Sequence, residues 1–474
     1  MKKTKKNIQL QLLLLLILVL PFGLRHIFNF GQIESLEFFR ESLSLSVYLF
    51  DAVFLLLLWQ WIANASGAKT FPSLPGILNY FVKNFRKNIF FGLLIAYFAW
   101  LSFFVAANAS AALYMSARVI QGLILFAIAS RLAAKSYKNF QKIVYLIFLS
   151  GIIQSVIAVW QFLKQGSIGL KILGESRISP EIAGVAKFEI AGEKFIRAYG
   201  TFPHPNVLGA FLLLAMVCGL GFLFFHKKEI PFRFPLKLFK IDKTKAVILH
   251  YSAGTMLILL GVLVSYSRSV WLVAFLLILV VFWKYFAEFA RNYFSKKFLK
   301  RFGASLFAVV LIACAGVYIL ASPRLCIQDC AGGQSFELRQ KYAQYAFETI
   351  LDNAYYGAGT GNFVLGMKDA RPFNFETWQI QPVHNLYLLI AAEIGLIGFL
   401  FLFLFVFKRL KNLNKLSESW NKTGVYALAG FLSLGFFDHY FWTIPQTILF
   451  FWLAIALIPG SSKIKKANKE TTEK

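Results

Sequence analysis

Acidic residues are scarce in this sequence of 474 residues: 22 Asp and Glu stand against 50 Lys and Arg, a formal net charge of +28. Such an excess suits a nucleic-acid binder, yet the basic residues fall in short clusters between apolar runs of about 17 to 23 residues, the length that crosses a bilayer. Nucleic acid is set aside as a partner on that ground. Cysteine is scarce too, four in all, which excludes a disulfide scaffold. Cys218 and Cys314 lie inside apolar runs as small buried thiols. Cys326 and Cys330 have no His or further Cys at zinc-finger spacing, which leaves a local disulfide open and argues against zinc. The segment HKKEIPFRFPLKLFKIDKTK, from His226 to Lys245, holds neither a P-loop nor a D-x-D pair, so a cytoplasmic nucleotide-sugar site has no support. No internal repeat of the transporter kind is visible.

Apolar residues, by contrast, are abundant. The chain is 58% hydrophobic and 17% aromatic, with a mean hydropathy of +0.62, values that place it in lipid. MKKTKK and the apolar run to Leu24 resemble a signal peptide, but the following RHIFNFGQIE lacks a small-residue cleavage site and predicts an uncleaved first span. Apolar runs lie near Asn7–Leu24, Val47–Ala63, Ile89–Ala106, Val119–Ser130, Ile143–Leu163 and Val207–Phe225. Six more lie near Ala246–Val264, Val270–Trp283, Gly303–Ala321, Leu386–Phe407, Gly424–Phe437 and Pro445–Ile458. The expectation is an all-α, polytopic integral membrane protein of about twelve transmembrane helices. With both termini in the cytoplasm, most Lys and Arg fall on the inner side, as the positive-inside rule requires of a cytoplasmic (inner) membrane protein.

The expected organisation is N-terminal transmembrane helices over 1–163, a first long outer loop over 164–206 and central helices over 207–321. A second long outer loop over 322–385, C-terminal helices over 386–460 and a basic cytoplasmic tail over 461–474 follow. Binding and chemistry concentrate in such loops. In the second loop, Phe336, Tyr342, Ala343, Ala346, Phe347 and Ile350 recur at helical spacing, which predicts an amphipathic helix from Ser335 to about Leu351 across the mouth of the bundle.

Charged residues at the outer surface are the candidates for chemistry. SYSRS interrupts an apolar stretch long enough for two crossings, so a hairpin there holds Arg268 at the membrane surface. It reads either as a fixed cation for an anionic ligand or as an arginine snorkelling to lipid phosphate. In RAYGTFPHPN, Pro203 and Pro205 set up the next helix with Asn206 or Thr201 as cap, and Arg197 carries the same two readings as Arg268. His384 opens PVHNLYLLIAAEIGLIG and is either a general base or a cap shared with Asn385. Glu393, about 13 Å further along and on the opposite helix face, reads as a buried contact between helices. Asp438, His439 and Gln446, in the turn FDHYFWTIPQ, are placed to line the same cavity, with Tyr440 and Trp442 as aromatic-belt residues. GAGTG, from Gly357 to Gly361, reads as a flexible turn rather than a phosphate cradle.

In order along the chain, R-A-Y-G-T-F-P-H-P-N at Arg197, S-x-S-R-S-x-W-L at Ser265, L-D-N-A-Y-Y-G-A-G-T-G-N-F at Leu351 and H-N-L-Y-L-x-x-x-x-E-x-G-L-I-G at His384 resemble the O-antigen ligase and polymerase family of polytopic membrane glycosyltransferases. The likeness covers roughly Arg197 to Gly398. It implies an enzyme that takes a glycan from a polyprenyl diphosphate carrier of the undecaprenyl type and joins it to an acceptor hydroxyl outside the cytoplasmic membrane, with no metal, nucleotide or other cofactor. The acceptor, a lipid A core, another lipid-linked repeat or a protein, stays open. Carried over, the family's two essential arginines fall on Arg197 and Arg268, as diphosphate ligands, and its histidine on His384, as catalytic base. Arg324, Arg339, His204, Asn206, Asn385, Asp438 and His439 stand beside them as candidate substrate-binding residues. The assignment suits the chemistry: two guanidinium groups can neutralise a diphosphate leaving group, and an imidazole can take the acceptor's proton in one inverting displacement. The rival is a transporter or flippase of lipid-linked glycans, which needs ionisable groups deep in the membrane, where the spans hold only Asp51 and Glu393 as acids. A purely structural scaffold gives no reason for three basic groups at one surface.

Overall fold

A computed structural model describes residues 7–28, 45–66, 89–190, 192–226, 243–293, 331–370, 375, 379–411 and 420–458. The expected span at Gly303–Ala321, the Cys326 and Cys330 pair, Arg324 and the basic tail lie outside the described residues. The helices are α1 (Ile8–Val19), α2 (Leu49–Ser66), α3 (Ile89–Phe104), α4 (Ala109–Lys135), α5 (Tyr137–Lys164), α6 (Pro205–Leu220) and α7 (Lys243–Val264). They continue with α8 (Arg268–Tyr293), α9 (Ala331–Asp352), α10 (Phe363–Ala370), α11 (Leu386–Lys411), α12 (Trp420–Leu434), α13 (Tyr440–Thr443) and α14 (Pro445–Ala456). Two antiparallel hairpins accompany them, β1 (Arg25–Phe28) with β2 (Leu45–Tyr48) and β3 (Lys187–Ile190) with β4 (Glu193–Ile196).

Among the described residues, five helices are long and apolar enough to cross a membrane, namely α4, α5, α6 with its π-helical extension to Phe225, α7 and α11. Shorter apolar helices lie at Ile8–Val19, Leu49–Asn64, Gly92–Phe104 and Pro445–Ala456. The chain is thus a polytopic helical membrane protein, and a count of twelve is not reached within the described residues. The amphipathic helix expected from Ser335 corresponds to α9, which buries Tyr342, Ala346 and Thr349 and exposes Phe347 and Leu351.

α6 is apolar on every face, and a helix of that kind belongs in a core. It packs on α5, α7, α8, α12 and α14, and 89% of its most apolar stretch is buried, against 39% for α7 and α11, which present more of their surface to lipid.

Two polar clusters sit inside this apolar frame. On α4, Arg118 Nη1 lies 2.5 Å from Asp51 Oδ1 of α2, Gln121 Nε2 donates to the same oxygen at 2.8 Å, and the Arg118 guanidinium covers the rings of Tyr48 and Tyr114. The second lies where α11 breaks at Gly395, whose φ of 65° and ψ of 176° suit glycine alone. The carbonyls left open there accept from Ala358 N at 2.8 Å, Gly359 N at 2.9 Å and the Tyr97 hydroxyl at 2.7 Å; Leu396 N and Ile397 N donate to Ala354 O and Tyr355 O. Backbone at membrane depth must be satisfied by protein, and the GAGTG turn does so here. Glu393 Oε2 completes the cluster, accepting from Gly361 N and Trp442 Nε1, each at 2.7 Å.

Candidate active site

The starts of α6, α8 and α11 and the turn before α13 meet at one end of the bundle. Pro205 fixes the first turn of α6, and His204 Nδ1 accepts from Asn206 N at 3.1 Å, so His204 is the cap of that helix. Asn385 caps α11, its Oδ1 accepting from Tyr387 N and Leu388 N at 3.0 Å each, while its Nδ2 reaches Phe436 O at 3.5 Å. Leu386 N donates to Gly435 O at 2.7 Å and ties the α11 start to the end of α12.

Arg197 leaves β4 beside the hairpin between α7 and α8. Ala198 N donates to Val264 O at 3.0 Å, Arg197 Nε donates to Ser265 O at 3.0 Å, and the ring of Tyr266, whose φ is 51°, stacks flat on Phe188 of β3 with centroids 3.8 Å apart. Arg268, three residues past Ser265, opens α8 with its side chain exposed. The guanidinium of Arg197 also donates from Nη2 to Asn206 Oδ1 at 2.6 Å, and Asn206 Nδ2 donates to Asp438 Oδ2 at 2.9 Å.

Asp438 is the hub, buried with 7% of its surface exposed. Its Oδ1 accepts from His439 N at 2.8 Å and lies 3.8 Å from His439 Nε2, while His439 Nδ1 pairs with Thr443 Oγ1 at 2.8 Å. The ring of His384 meets that of His439 edge-on, centroids 5.3 Å apart, and lies nearly parallel to Tyr342 at 5.9 Å. Tyr342 is held in turn by donating to Gln379 O. His384 Nδ1 and Ser267 Oγ are buried and, among the described residues, have no hydrogen-bond partner. A buried polar atom without a partner calls for an explanation, and contact with a ligand is one.

Burial sets the protonation of this cluster. It pushes the His384 imidazole down to about 3 against the opposing pull of Asp438, with His439, Arg339 and His204 adding to the downward shift. His204 is pushed down to about 4 by burial, with Arg197 acting in the same sense, and His439 is lowered by burial as well. Burial draws the Asp438 carboxyl upward, but His439, His384, the Asn206 amide and His204 outweigh it and leave the carboxyl below its usual range. Near neutral pH the site therefore holds neutral imidazoles facing a carboxylate, with a guanidinium two hydrogen bonds away. A neutral imidazole beside a carboxylate can take up a proton, and guanidinium groups can hold phosphate.

Residues 253–403 match the family model described as O-antigen ligase. Over that stretch the chain is similar to an O-antigen ligase domain. Among curated proteins, none matches the chain. The matched segment holds Arg268, exposed at the start of α8, Tyr342 and His384, and also the separate cluster of the GAGTG turn and Glu393; Arg197, His204, Asn206, Asp438 and His439 reach the His384 site from outside it. Gln446, expected in the cavity, does not reach it: it is 1% exposed and donates to Leu20 O and Pro21 O, fastening α14 to the end of α1. Arg339 is exposed on α9, one turn before Tyr342, and its charge acts on His384 and His439. Tyr342 entered the sequence reading only as an apolar position of an amphipathic helix. Its spacing from Arg339, one turn along the same face, was the available sign of a second role. Among the described residues no group of three or more His, Cys, Asp and Glu is arranged to hold a metal ion.

Proposed function

We propose that this membrane enzyme of O-antigen type transfers a glycan from a polyprenyl diphosphate carrier to an acceptor hydroxyl on the outer side of the cytoplasmic membrane. The observation that carries the reading is His384: a half-buried imidazole whose buried Nδ1 is unpartnered among the described residues, next to Asp438, which Asn206 links to Arg197. His384 acts as general base. It takes the proton of the acceptor hydroxyl as that oxygen bonds to the anomeric carbon, the bond from that carbon to the diphosphate oxygen breaks, and the configuration inverts. Asp438 favours the imidazolium that forms. Arg197, which follows β4 and bonds Asn206 in the first turn of α6, and Arg268, at the start of α8, neutralise the departing polyprenyl diphosphate, helped by the positive ends of those helices.

An alternating-access flippase for the same lipid would need its deep ionisable groups to change partners. Asp51 is instead locked to Arg118 and Gln121, and Glu393 to Gly361 and Trp442, which supports the enzyme. The test is transfer by purified protein from an undecaprenyl-diphosphate oligosaccharide to lipid A core, lipid-linked repeat and peptide acceptors, each offered separately. His384→Ala should retain donor binding and lose turnover by about 10²- to 10⁴-fold. Arg197→Ala and Arg268→Ala should weaken donor binding as well. Transfer that survives all three substitutions refutes the assignment.

A further inference from the structure

Arg197, after β4, and Asp438, in the turn before α13, carry opposite charges on either side of Asn206, and such charges attract strongly where water is scarce. Closed on each other, they would withdraw the guanidinium from a diphosphate and the carboxylate from His384. The amide of Asn206 stands between them, its Oδ1 accepting from Arg197 Nη2 at 2.6 Å and its Nδ2 donating to Asp438 Oδ2 at 2.9 Å. A carboxamide offers an acceptor and a donor on one planar group, whereas a carboxylate offers acceptors alone. Its place is fixed from below, because Pro205 begins α6 and His204 Nδ1 accepts the Asn206 backbone N–H. A second tether, from Arg197 Nε to Ser265 O, holds the guanidinium toward the hairpin that ends in Arg268.

Resting on the roles given above to Arg197 and His384, we propose that Asn206 is a positioning residue that spaces the diphosphate-binding guanidinium from the carboxylate facing the base, so that each charge serves its own step. Its side chain is satisfied within the protein on both sides and has no need to touch substrate. The groups that act on His384 come from three elements: Asp438 and His439 from the turn before α13, Arg339 and Tyr342 from α9, and His204 from the start of α6. Of these, Asp438 alone carries negative charge, so its pairing state governs the proton affinity of His384.

The experiment uses the full-length protein in detergent and two readouts. One is affinity for undecaprenyl diphosphate. The other is the pH midpoint of His384, followed by its rate of acylation with diethyl pyrocarbonate and read by mass spectrometry. In Asn206→Ala, Arg197 closes on Asp438: affinity is expected to fall about 10- to 100-fold, and the His384 midpoint to move down because the facing carboxylate is neutralised. Asn206→Asp keeps the shape but adds a negative charge, so affinity again falls while the His384 midpoint moves up. Unchanged affinity, or midpoints that move in the same sense in both variants, overturns the proposal. Where the alanine variant does not fold, the aspartate variant decides alone, and tight diphosphate binding or an unmoved midpoint overturns it. Wild-type affinity in Arg197→Ala would overturn the underlying reading of the site, a result that makes no use of Asn206.

Discussion

Lowering the pH discriminates a buried base from an ordinary histidine. An imidazole with its midpoint near 6.5 is about 3% neutral at pH 5, so a base of that kind would lose about 30-fold in rate between pH 8 and pH 5. Desolvation pushes the midpoint of His384 down to about 3, which leaves about 99% of it neutral at pH 5. The expected profile of kcat/KM, which reports the free enzyme, is therefore flat over that range. A diphosphate esterified at both ends does not titrate there either, so the donor adds no slope of its own. Such a base is weak at rest, and the carboxylate of Asp438 must favour the imidazolium as the proton arrives. Asp438→Asn should accordingly lower kcat at every pH while leaving the flat profile in place. The assay is initial transfer rate at low donor concentration in detergent, from pH 8 to pH 5. A wild-type kcat/KM that falls with a midpoint near 6.5 refutes the burial argument.

Stability, unlike rate, should respond to acid. His384 and His204 have folded midpoints of about 3 and about 4, below the unfolded value, so the unfolded chain binds more protons as pH falls below 6.5. Each imidazole then costs the native state about 2 kcal/mol by pH 5. The thermal midpoint, followed by tryptophan fluorescence, should drop between pH 7 and pH 5, and a rise would contradict the assignment. Asp51→Ala strands the buried Arg118 guanidinium and should cost about 3 to 5 kcal/mol; an unchanged thermal midpoint would show that the pair carries little of the fold. Gly395→Ala puts a Cβ 2.3 Å from Tyr355 O at a positive φ, a conformation costing about 1 to 3 kcal/mol before the clash is counted. Wild-type stability in that variant would mean that α11 does not break there.

Hydropathy made the spans legible because lipid imposes a length and a composition on each. It misjudged their ends wherever a polar group finds its partner inside the bundle. The run at Val119–Ser130 reads as short, yet the helix is Ala109–Lys135, because Arg118 and Gln121 count against an apolar window when scored singly and are satisfied in space by Asp51. Glu393 was legible as a buried contact, since its nine-residue offset turns it away from His384. Its partners were not, because Gly361 comes from a distant turn and Trp442 from α13. The glycines of GAGTG gave the turn, and nothing in their order says that the turn fills a break in α11.

The parts of the site were visible and their union was not. Prolines and caps place His204, Asn206 and His384 at helix starts, and that local chemistry can be read from neighbouring residues. The bond that joins Asn206 to Asp438 spans 232 positions, and no local pattern encodes it. Of the two readings of His384, cap and base, the first loses its support at the neighbouring residue. A helix start needs an acceptor for its first N–H groups, and at α11 the side chain of Asn385 supplies it for Tyr387 and Leu388 together. With that need met, the imidazole has no structural duty at the helix end. It lies instead beside Tyr342 and His439, next to the buried carboxylate of Asp438, which favours the imidazolium.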